Sequence, residues 1–210
     1  MEMVLDVYAR DYDPNHPVVC FDEAPGEVLE SEKEPMEMRP GRPRRHDYEY
    51  HRTNRYTLFM AVEPLGGWRF VDVRQQGTGR DFAEQLVRIA QHYPDADQIT
   101  VVLDNLSTHK LKFLWEILPA EQALEIARRI KLVKTPVHGS WLNMAEIELA
   151  AFSEQCLGSR RFETLSEVRS EATAWAQRRN ELKVTIDWGF TVDDSRDRFR
   201  THYERELGNQ

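Results

Sequence analysis

The sequence predicts an α/β fold with a mixed central sheet of about five strands flanked by helices. Residues 18–21 and 99–103 are short runs of apolar, largely β-branched residues, the composition of buried strands. Residues 55–62 and 68–74 are separated by a Pro- and Gly-containing turn, which indicates a β-hairpin. These segments supply four strands, and a fifth short apolar run ends at Leu132 and Val133.

Helices are predicted between and after the strands. Residues 80–93 carry apolar side chains at helical spacing and are followed by Pro94. Ser107 or Thr108 is the expected N-cap of a helix that runs to about residue 118, and Pro119 starts another that ends near residue 130. A long helix over about residues 164–182 and a short one near the C-terminus complete the prediction.

Length and composition suit a single globular domain. The chain has 210 residues, of which 40% are hydrophobic, enough for one sizeable core. No segment approaches the roughly 20 apolar residues needed to span a bilayer, and no charged-then-apolar leader is present, so we expect a cytoplasmic protein with no membrane partner. Cys20 and Cys156 are far apart in sequence and lie in apolar surroundings, which favours buried free thiols.

Two stretches show no sustained pattern of regular structure. Residues 1–17 read as the end of a helix followed by a connector rich in Asp and Pro. The segment that follows the first strand, residues 24–52, is rich in Pro, Gly and charge, and we predict a long loop there.

Three acids stand at positions where an α/β sheet usually places its site. Asp22 and Asp104 each close a predicted buried strand. Glu146 lies on a helix that opens near Leu142, on a face shared with Asn143 and next to a core-facing stripe. Because side chains alternate along a strand, Asp22 and Glu23 should point to opposite faces, and only one of them should join the cluster.

These segments resemble the catalytic domain of mariner-type insertion-sequence transposases, which are DDE superfamily endonucleases with an RNase H-like fold. The resemblance rests on three stretches in order, and it spans about residues 18–199. They are Phe21-Asp22-Glu23, then Asp104-Asn105 with Ser107-Thr108-His109, then Pro136 with Ser140-Trp141-Leu142-Asn143-Met144-Ala145-Glu146. Each stretch alone is a weak signal, and the three in order are a strong one.

The resemblance implies fold, chemistry and partners. In the RNase H-like fold the first and fourth strands are neighbours, so Asp22 and Asp104 should meet. The catalytic and metal-binding residues would be Asp22, Asp104 and Glu146, holding two Mg²⁺ or Mn²⁺ ions for phosphodiester cleavage and strand transfer. Residues 18–210 would form the catalytic domain. Residues 1–17 would be the remnant of a linker after an absent N-terminal helix-turn-helix region.

The implied partners are transposon-end and target DNA, a DNA-recognition domain outside this chain, and further copies of the chain in a homodimer or larger assembly on DNA. The resemblance also implies a bacterial protein that associates with the nucleoid when it is on DNA.

The net charge of −8 argues against a generic polyanion binder, since DNA-binding surfaces are usually basic. Basic residues are nevertheless concentrated locally, and a solvated, self-paired charged loop and a phosphate-contacting loop both remain open for residues 39–45. His109 is either a structural histidine at a helix end or a contact to the scissile phosphate or attacking water, and His138 is open in the same way. The candidate DNA contacts are Arg42, Arg44, Arg45, His109, Lys110, His138 and Asn143.

Two rival functions remain open at the level of sequence. One is an inactive or domesticated transposase remnant that retains the fold and binds DNA. The other is a different RNase H-like endonuclease, such as a junction resolvase. The presence of acids at all three motif positions favours an active enzyme, and the segment from His138 to Glu148 favours a transposase.

Overall fold

The computed structural model describes residues 1–31, 50–158 and 160–207. Five strands form one mixed sheet: β1 (Val18–Ser31), β2 (Tyr50–Glu63), β3 (Trp68–Arg74), β4 (Ile99–Leu103) and β5 (Ile130–Lys134). Their order across the sheet is β3-β2-β1-β4-β5. The pairs β1–β2 and β2–β3 are antiparallel, whereas β1–β4 and β4–β5 are parallel. The predicted mixed five-stranded sheet is confirmed, and so is the expectation that the first and fourth strands are neighbours.

The helices are distributed over both faces of this sheet. They are α1 (Glu2–Tyr8), α2 (Gly79–His92), α3 (Leu114–Ile117), α4 (Ala120–Arg129), α5 (Ala145–Phe152), α6 (Leu165–Glu181), α7 (Val192–Arg198) and α8 (Arg200–Leu207). Short 3₁₀ turns precede α3 and α5, at Leu111–Phe113 and Ser140–Leu142. Among these helices of the described chain, none is both long and apolar enough to cross a bilayer.

Alternation along the strands divides the buried residues into two cores. Val19 and Phe21 of β1 belong to the core that packs under α2, α3 and α4. Cys20 of β1 and Val102 of β4 belong to the other core, which packs against α1, α5 and α6. Since successive side chains of a strand point to opposite faces, Asp22 and Asp104 follow Cys20 and Val102 onto the side that carries α5.

Local sequence explains the hairpin and the helix starts. The turn between β2 and β3 contains Gly67 at φ 70°, and a Cβ at this position would lie 2.9 Å from the carbonyl carbon of Lys183. Glycine suits this position because it tolerates the positive φ and has no side chain to clash with Lys183. Thr78 caps α2 and forms a capping box with Asp81. The predicted hairpin is confirmed, with β3 at its predicted bounds and with β2 starting at Tyr50 instead of residue 55. The predicted helix over residues 80–93 is confirmed as Gly79–His92.

The predicted loop over residues 24–52 was wrong at both ends. β1 does not stop at Asp22 but continues to Ser31, and β2 begins at Tyr50, so the two strands form a long hairpin. Pairing of β1 with β4 ends at Cys20. Beyond that point β1 pairs only with β2 among the described residues, and proline is tolerated in a strand that has one unpaired edge, as at Pro25.

The helix predicted to start at Ser107 or Thr108 was also wrong in its first part. The chain after Asp104 makes irregular turns, and regular helical structure starts only at Leu111. The Asp104 carboxylate accepts the Leu106 backbone N–H, and the His109 N–H is bonded to the Leu106 carbonyl. These local bonds replace the helical ones and turn His109 inward.

The N-terminal segment packs as part of the domain. Val4, Leu5 and Val7 of α1 are buried in the same core as α5 and α6. Both cysteines are free and buried, which confirms the prediction for Cys20 and Cys156.

Candidate active site

The sheet register brings Asp22 and Asp104 to one end of β1 and β4. The last parallel pair joins Cys20 to Val102, so each acid lies two residues beyond that pair on adjacent strands. Asp22 still lies within β1, and Asp104 follows β4 directly. Glu146 is the second residue of α5, which packs against β1 and β2 on the same side of the sheet.

The charges of Asp104 and Glu146 act on Asp22. Burial, together with these two charges, raises the pKa of Asp22 to about 6. One contact acts in the opposite direction, because the Glu23 backbone N–H donates to Asp22 Oδ1 at 2.8 Å. The structure therefore brings all three predicted acids into one electrostatic cluster.

A fourth acid, Glu23, belongs to the same electrostatic environment. Burial, together with the charges of Asp104, Asp22 and Asp81, raises the pKa of Glu23 to about 7. A Cβ on Gly77, just before α2, would lie 3.4 Å from Glu23 Oε2, and Glu146 is not among the charges that raise the pKa of Glu23. The expectation that only one of Asp22 and Glu23 joins the cluster therefore stays a prediction. Asp22 and Glu23 follow each other just beyond the end of the β1–β4 pairing, and this succession of acids was a sequence signal for a strongly negative region. Charges act on one another across both faces of a sheet.

His109 lies beneath Asp104 and is fully buried. Its Nδ1 is 2.7 Å from Asp104 Oδ1. The imidazole is enclosed by Phe82 and Phe21, with ring centroids at 4.6 and 5.8 Å. Burial lowers the pKa of His109 and outweighs the opposing effect of the Asp104 carboxylate, so the ring is held neutral at physiological pH. His109 thus supports the Asp104 side chain and is not exposed to a ligand in this structure.

Asn143 connects the helix of Glu146 to the strand of Asp22. Its Nδ2 donates to the Phe21 carbonyl at 2.8 Å, and its Oδ1 accepts the Ala145 N–H at 3.2 Å. The residue is 1% exposed. Although the sequence suggested a DNA contact, the structure shows an amide whose donor and acceptor are both used inside the protein.

A second asparagine connects the Asp104 segment to the loop before α5. Asn105 Nδ2 donates to the carbonyl of Thr135, and the Thr135 N–H is bonded to the Leu103 carbonyl at 2.9 Å. The loop that carries His138 therefore starts from a fixed position beside β4.

The remaining candidate DNA contacts divide into exposed residues and undescribed ones. Lys110 and His138 are exposed. His138 has φ 62°, an uncommon backbone angle for a residue with a side chain, in the turn just before Gly139. Arg42, Arg44 and Arg45 lie outside the described residues.

A buried ion-pair network holds α5 on the side away from the acids, and no local sequence pattern predicted it. Glu148 is completely buried, with Oε2 3.1 Å from Arg69 Nε and Oε1 2.6 Å from Arg179 Nη2. Arg69 belongs to β3 and Arg179 to α6. The network therefore joins β3 and α6 to α5, the helix that carries Glu146 two residues before Glu148.

Oxygen donors dominate this end of the sheet, and they suit a hard cation such as Mg²⁺ or Mn²⁺ better than zinc. Within residues 1–31, 50–158 and 160–207, no three His, Cys, Asp or Glu side chains are placed so as to enclose a metal ion by themselves. The arrangement places several carboxylates at one end of the sheet. A metal ion bound there would need further ligands from water or from a bound phosphate.

Comparison with known sequences identifies a family. The profile of the family described as DDE superfamily endonuclease matches residues 17–169. No curated protein sequence matches the chain.

Comparison with solved structures identifies the same kind of fold. The Mos1 mariner paired-end complex with Mn superposes with a TM-score of 0.55 at 16% identity, covering 87% of this chain and 54% of that one. The Mos1 strand transfer complex superposes with a TM-score of 0.51 at 16% identity, covering 87% and 58%. At this identity the likeness concerns the RNase H-like fold, and the present chain spans just over half the length of those proteins.

Proposed function

We propose that the chain, which belongs to the DDE superfamily of endonucleases, is the catalytic part of a DNA transposase that cleaves phosphodiester bonds with divalent metal ions. The observation that carries the proposal is the convergence of Asp22, Asp104 and Glu146 at one end of the β1–β4 pair, where the other two charges raise the pKa of Asp22. Such a concentration of carboxylates is unfavourable without a cation.

The donor set fits two hard divalent ions. The carboxylates of Asp22, Asp104 and Glu146 would hold the ions, and water and DNA phosphate oxygens would supply the remaining ligands. When bound, such ions make the attacking oxygen a better nucleophile and stabilise the leaving oxygen.

The chain's own residues hold the carboxylates in place. Neutral, buried His109 contacts Asp104 Oδ1, and Asn143 ties the start of α5 to Phe21, next to Asp22. The buried Glu148 pairs with arginines of two other elements and limits rotation of α5. Preorganisation of this kind lowers the cost of assembling like charges when the ions and substrate arrive.

The reaction proposed for this site needs no covalent protein intermediate. Water attacks the phosphodiester at a transposon end and releases a strand with a 3′-hydroxyl, and that hydroxyl then attacks a phosphodiester of target DNA. In the second step one P–O bond forms as another breaks, so the number of phosphodiester bonds is conserved.

DNA is the proposed partner, and two ends would be held by a dimer or larger assembly. Support comes from the Mos1 structures, which are described as paired-end and strand transfer complexes. A recognition domain outside this chain would select the ends. Exposed Lys110 and His138 flank the acids in sequence, and they are the proposed phosphate contacts together with Arg42, Arg44 and Arg45.

The test combines metal binding with DNA cleavage. Purified chain is titrated with Mn²⁺, with free ion followed by electron paramagnetic resonance, and is incubated with supercoiled plasmid in Mn²⁺ or in EDTA. We expect Mn²⁺ binding and Mn²⁺-dependent nicking in the native chain, and loss of both in Asp104→Asn and Glu146→Gln. Glu125→Gln, an exposed position on α4, is the matched control and should behave like the native chain.

The possible outcomes separate the rival functions. Mn²⁺ binding without nicking, on plasmid and on DNA supplied with a recognition domain, would support the inactive remnant. Nicking confined to branched DNA would support a junction-specific endonuclease. Nicking that survives Asp104→Asn would show that another protein or another site does the cutting.

A further inference from the structure

A cavity of about 340 Å³ lies toward the start of β1, away from the carboxylate cluster. Its walls come from the end of α1 and the connector to β1, the end of β2, and the segment after α6. The proposed nuclease chemistry uses none of the ionisable side chains that line it.

Glu63, the last residue of β2, contributes a buried carboxylate to this cavity. The residue is 4% exposed, and among the described residues its Oε1 has no hydrogen-bond partner. The Tyr93 hydroxyl acts on the Glu63 carboxyl as a hydrogen-bond donor and lowers its pKa, but burial has the larger effect and raises the pKa of Glu63. A buried carboxylate oxygen without a partner is costly, so the site gains stability from any group that supplies a positive charge or a donor.

Aromatic rings line the same cavity. Tyr8, Tyr12 and Trp188 all contribute to the walls, and the Tyr8 and Trp188 rings meet edge to face with centroids 5.3 Å apart. Tyr12 is half exposed, and the Glu63 charge raises its pKa. Aromatic faces attract organic cations through their quadrupole, and the attraction is stronger where water is excluded.

The charge balance of the lining is acidic. Besides Glu63, the cavity is lined by Asp11, Asp13 and Asp187, against Arg10 and His16. Of these, His16 is already engaged, with Nδ1 2.7 Å from Asp13 Oδ2. An anion would meet repulsion here, and a neutral apolar ligand would leave Glu63 unpaired.

We propose that this cavity binds an organic cation, either an alkylammonium or a guanidinium group, with the charge directed at Glu63 and the carbon chain against Tyr8, Tyr12 and Trp188. The cation comes either from a free amine or from a lysine or arginine side chain of a protein segment. Both sources present the same chemistry to the site, and the cavity volume suits one such side chain.

The first experiment measures charge selectivity by calorimetry. The native chain is titrated with n-butylammonium and with n-butanol, which have similar size and differ in charge. We expect the ammonium ion to bind at least about tenfold more tightly than the alcohol, a difference of about 1.4 kcal/mol. Glu63→Gln should abolish that preference, whereas Glu125→Gln, on an exposed part of α4, should retain it.

The second experiment identifies the source of the cation. A blocked Ala-Lys-Ala peptide is compared with the same peptide carrying norleucine in place of lysine, which differs chiefly by the ammonium group. Preference for the lysine peptide over butylammonium indicates a protein segment, and the reverse order indicates a free amine.

Comparing a charged ligand with its neutral counterpart in each variant removes the effect of partial unfolding, because unfolding weakens both alike. If the native chain does not distinguish the cationic ligands from the neutral ones, the proposal is overturned. Undiminished selectivity in Glu63→Gln would overturn it as well. Neither result would affect the nuclease proposal, since the acids of that site are untouched.

Discussion

Asn143 and Phe21 are 122 positions apart in sequence, and the side-chain amide of the first donates to the backbone carbonyl of the second at 2.8 Å. Phe21 immediately precedes Asp22, and Asn143 stands three residues before Glu146. This hydrogen bond therefore holds the segment of Glu146 close to the strand of Asp22. It lies inside the core, where water does not compete for the donor or the acceptor.

Replacing Asn143 by alanine removes that bond and leaves the Phe21 carbonyl buried without its donor. We expect the free energy of unfolding to fall by about 1–3 kcal/mol, the cost of an unsatisfied buried polar group. Urea denaturation measures the change. Asn15→Ala, in the exposed connector before β1, is the control and should leave the urea midpoint unchanged. Equal midpoints for Asn143→Ala and the native chain would show that the Phe21 carbonyl finds another partner.

Replacing His109 by phenylalanine tests its support of Asp104, given the proposed metal site. The ring stays between Phe21 and Phe82, but the nitrogen 2.7 Å from Asp104 Oδ1 is lost. Loss of a group that orients a metal ligand typically costs about tenfold or more in metal affinity. We expect Mn²⁺ affinity to fall by about that factor while the urea midpoint changes little.

His16→Gln is the control for the His109 experiment, because this exposed histidine pairs with Asp13 at the other end of β1. Its Mn²⁺ affinity should equal that of the native chain. A His109→Phe variant with unchanged Mn²⁺ affinity would show that Asp104 needs no support from the imidazole.

The sequence predicted the helices and strands whose conformation is determined by residues close to them in the sequence. The glycines after Glu63 predicted the hairpin, and the apolar run before Asp104 predicted β4 and the acid at its end. The extension of β1 past Asp22 was not predictable in this way, because Pro25 and Gly26 are typical of loops. Pro25 and Gly26 can lie in a strand because β1 pairs with β2 on one side only at these positions. That arrangement is a property of the whole sheet and not of the local sequence.

Ion pairs between residues far apart in the sequence were the features that the sequence predicted least well. Arg179 lies in the last turn of α6, where a basic side chain is usually solvated, yet it pairs with buried Glu148. Arg69 lies in a strand whose alternation gave no sign of a buried guanidinium. Nothing local to Arg69, Glu148 or Arg179 shows that the tertiary fold brings them together.

Glu148→Gln should be strongly destabilising. It leaves the Arg69 guanidinium buried, with its side chain 0% exposed, and removes the charge that balances it. Breaking one partner of a buried ion pair costs about 3–5 kcal/mol. The urea midpoint should fall far more than in Glu171→Gln, which breaks the exposed Arg160–Glu171 pair and should have no measurable effect. A small effect of Glu148→Gln would show that water or a rearranged Arg69 compensates for the lost charge.

Glu63 should make the stability of the protein depend on pH in a direction opposite to that of a paired carboxylate. Burial raises its pKa in the folded chain above the ordinary value of 4.5. Below that value the group is protonated in both the folded and the unfolded chain, and its contribution to stability is fully present. As the pH rises through the folded pKa, the buried carboxyl ionises and that contribution is lost.

Glu63→Gln should therefore stabilise the protein relative to the native chain more at pH 8 than at pH 4.5. The groups that face Glu63, Tyr93 and Tyr12, both have raised pKa values and stay neutral throughout this window. Urea denaturation of both proteins across the range gives the difference at each pH, and Glu125→Gln corrects for the general effect of losing one acid. A difference that is constant from pH 4.5 to 8 would mean that Glu63 titrates as it does in the unfolded chain, and that burial in this cavity imposes no cost on its charge.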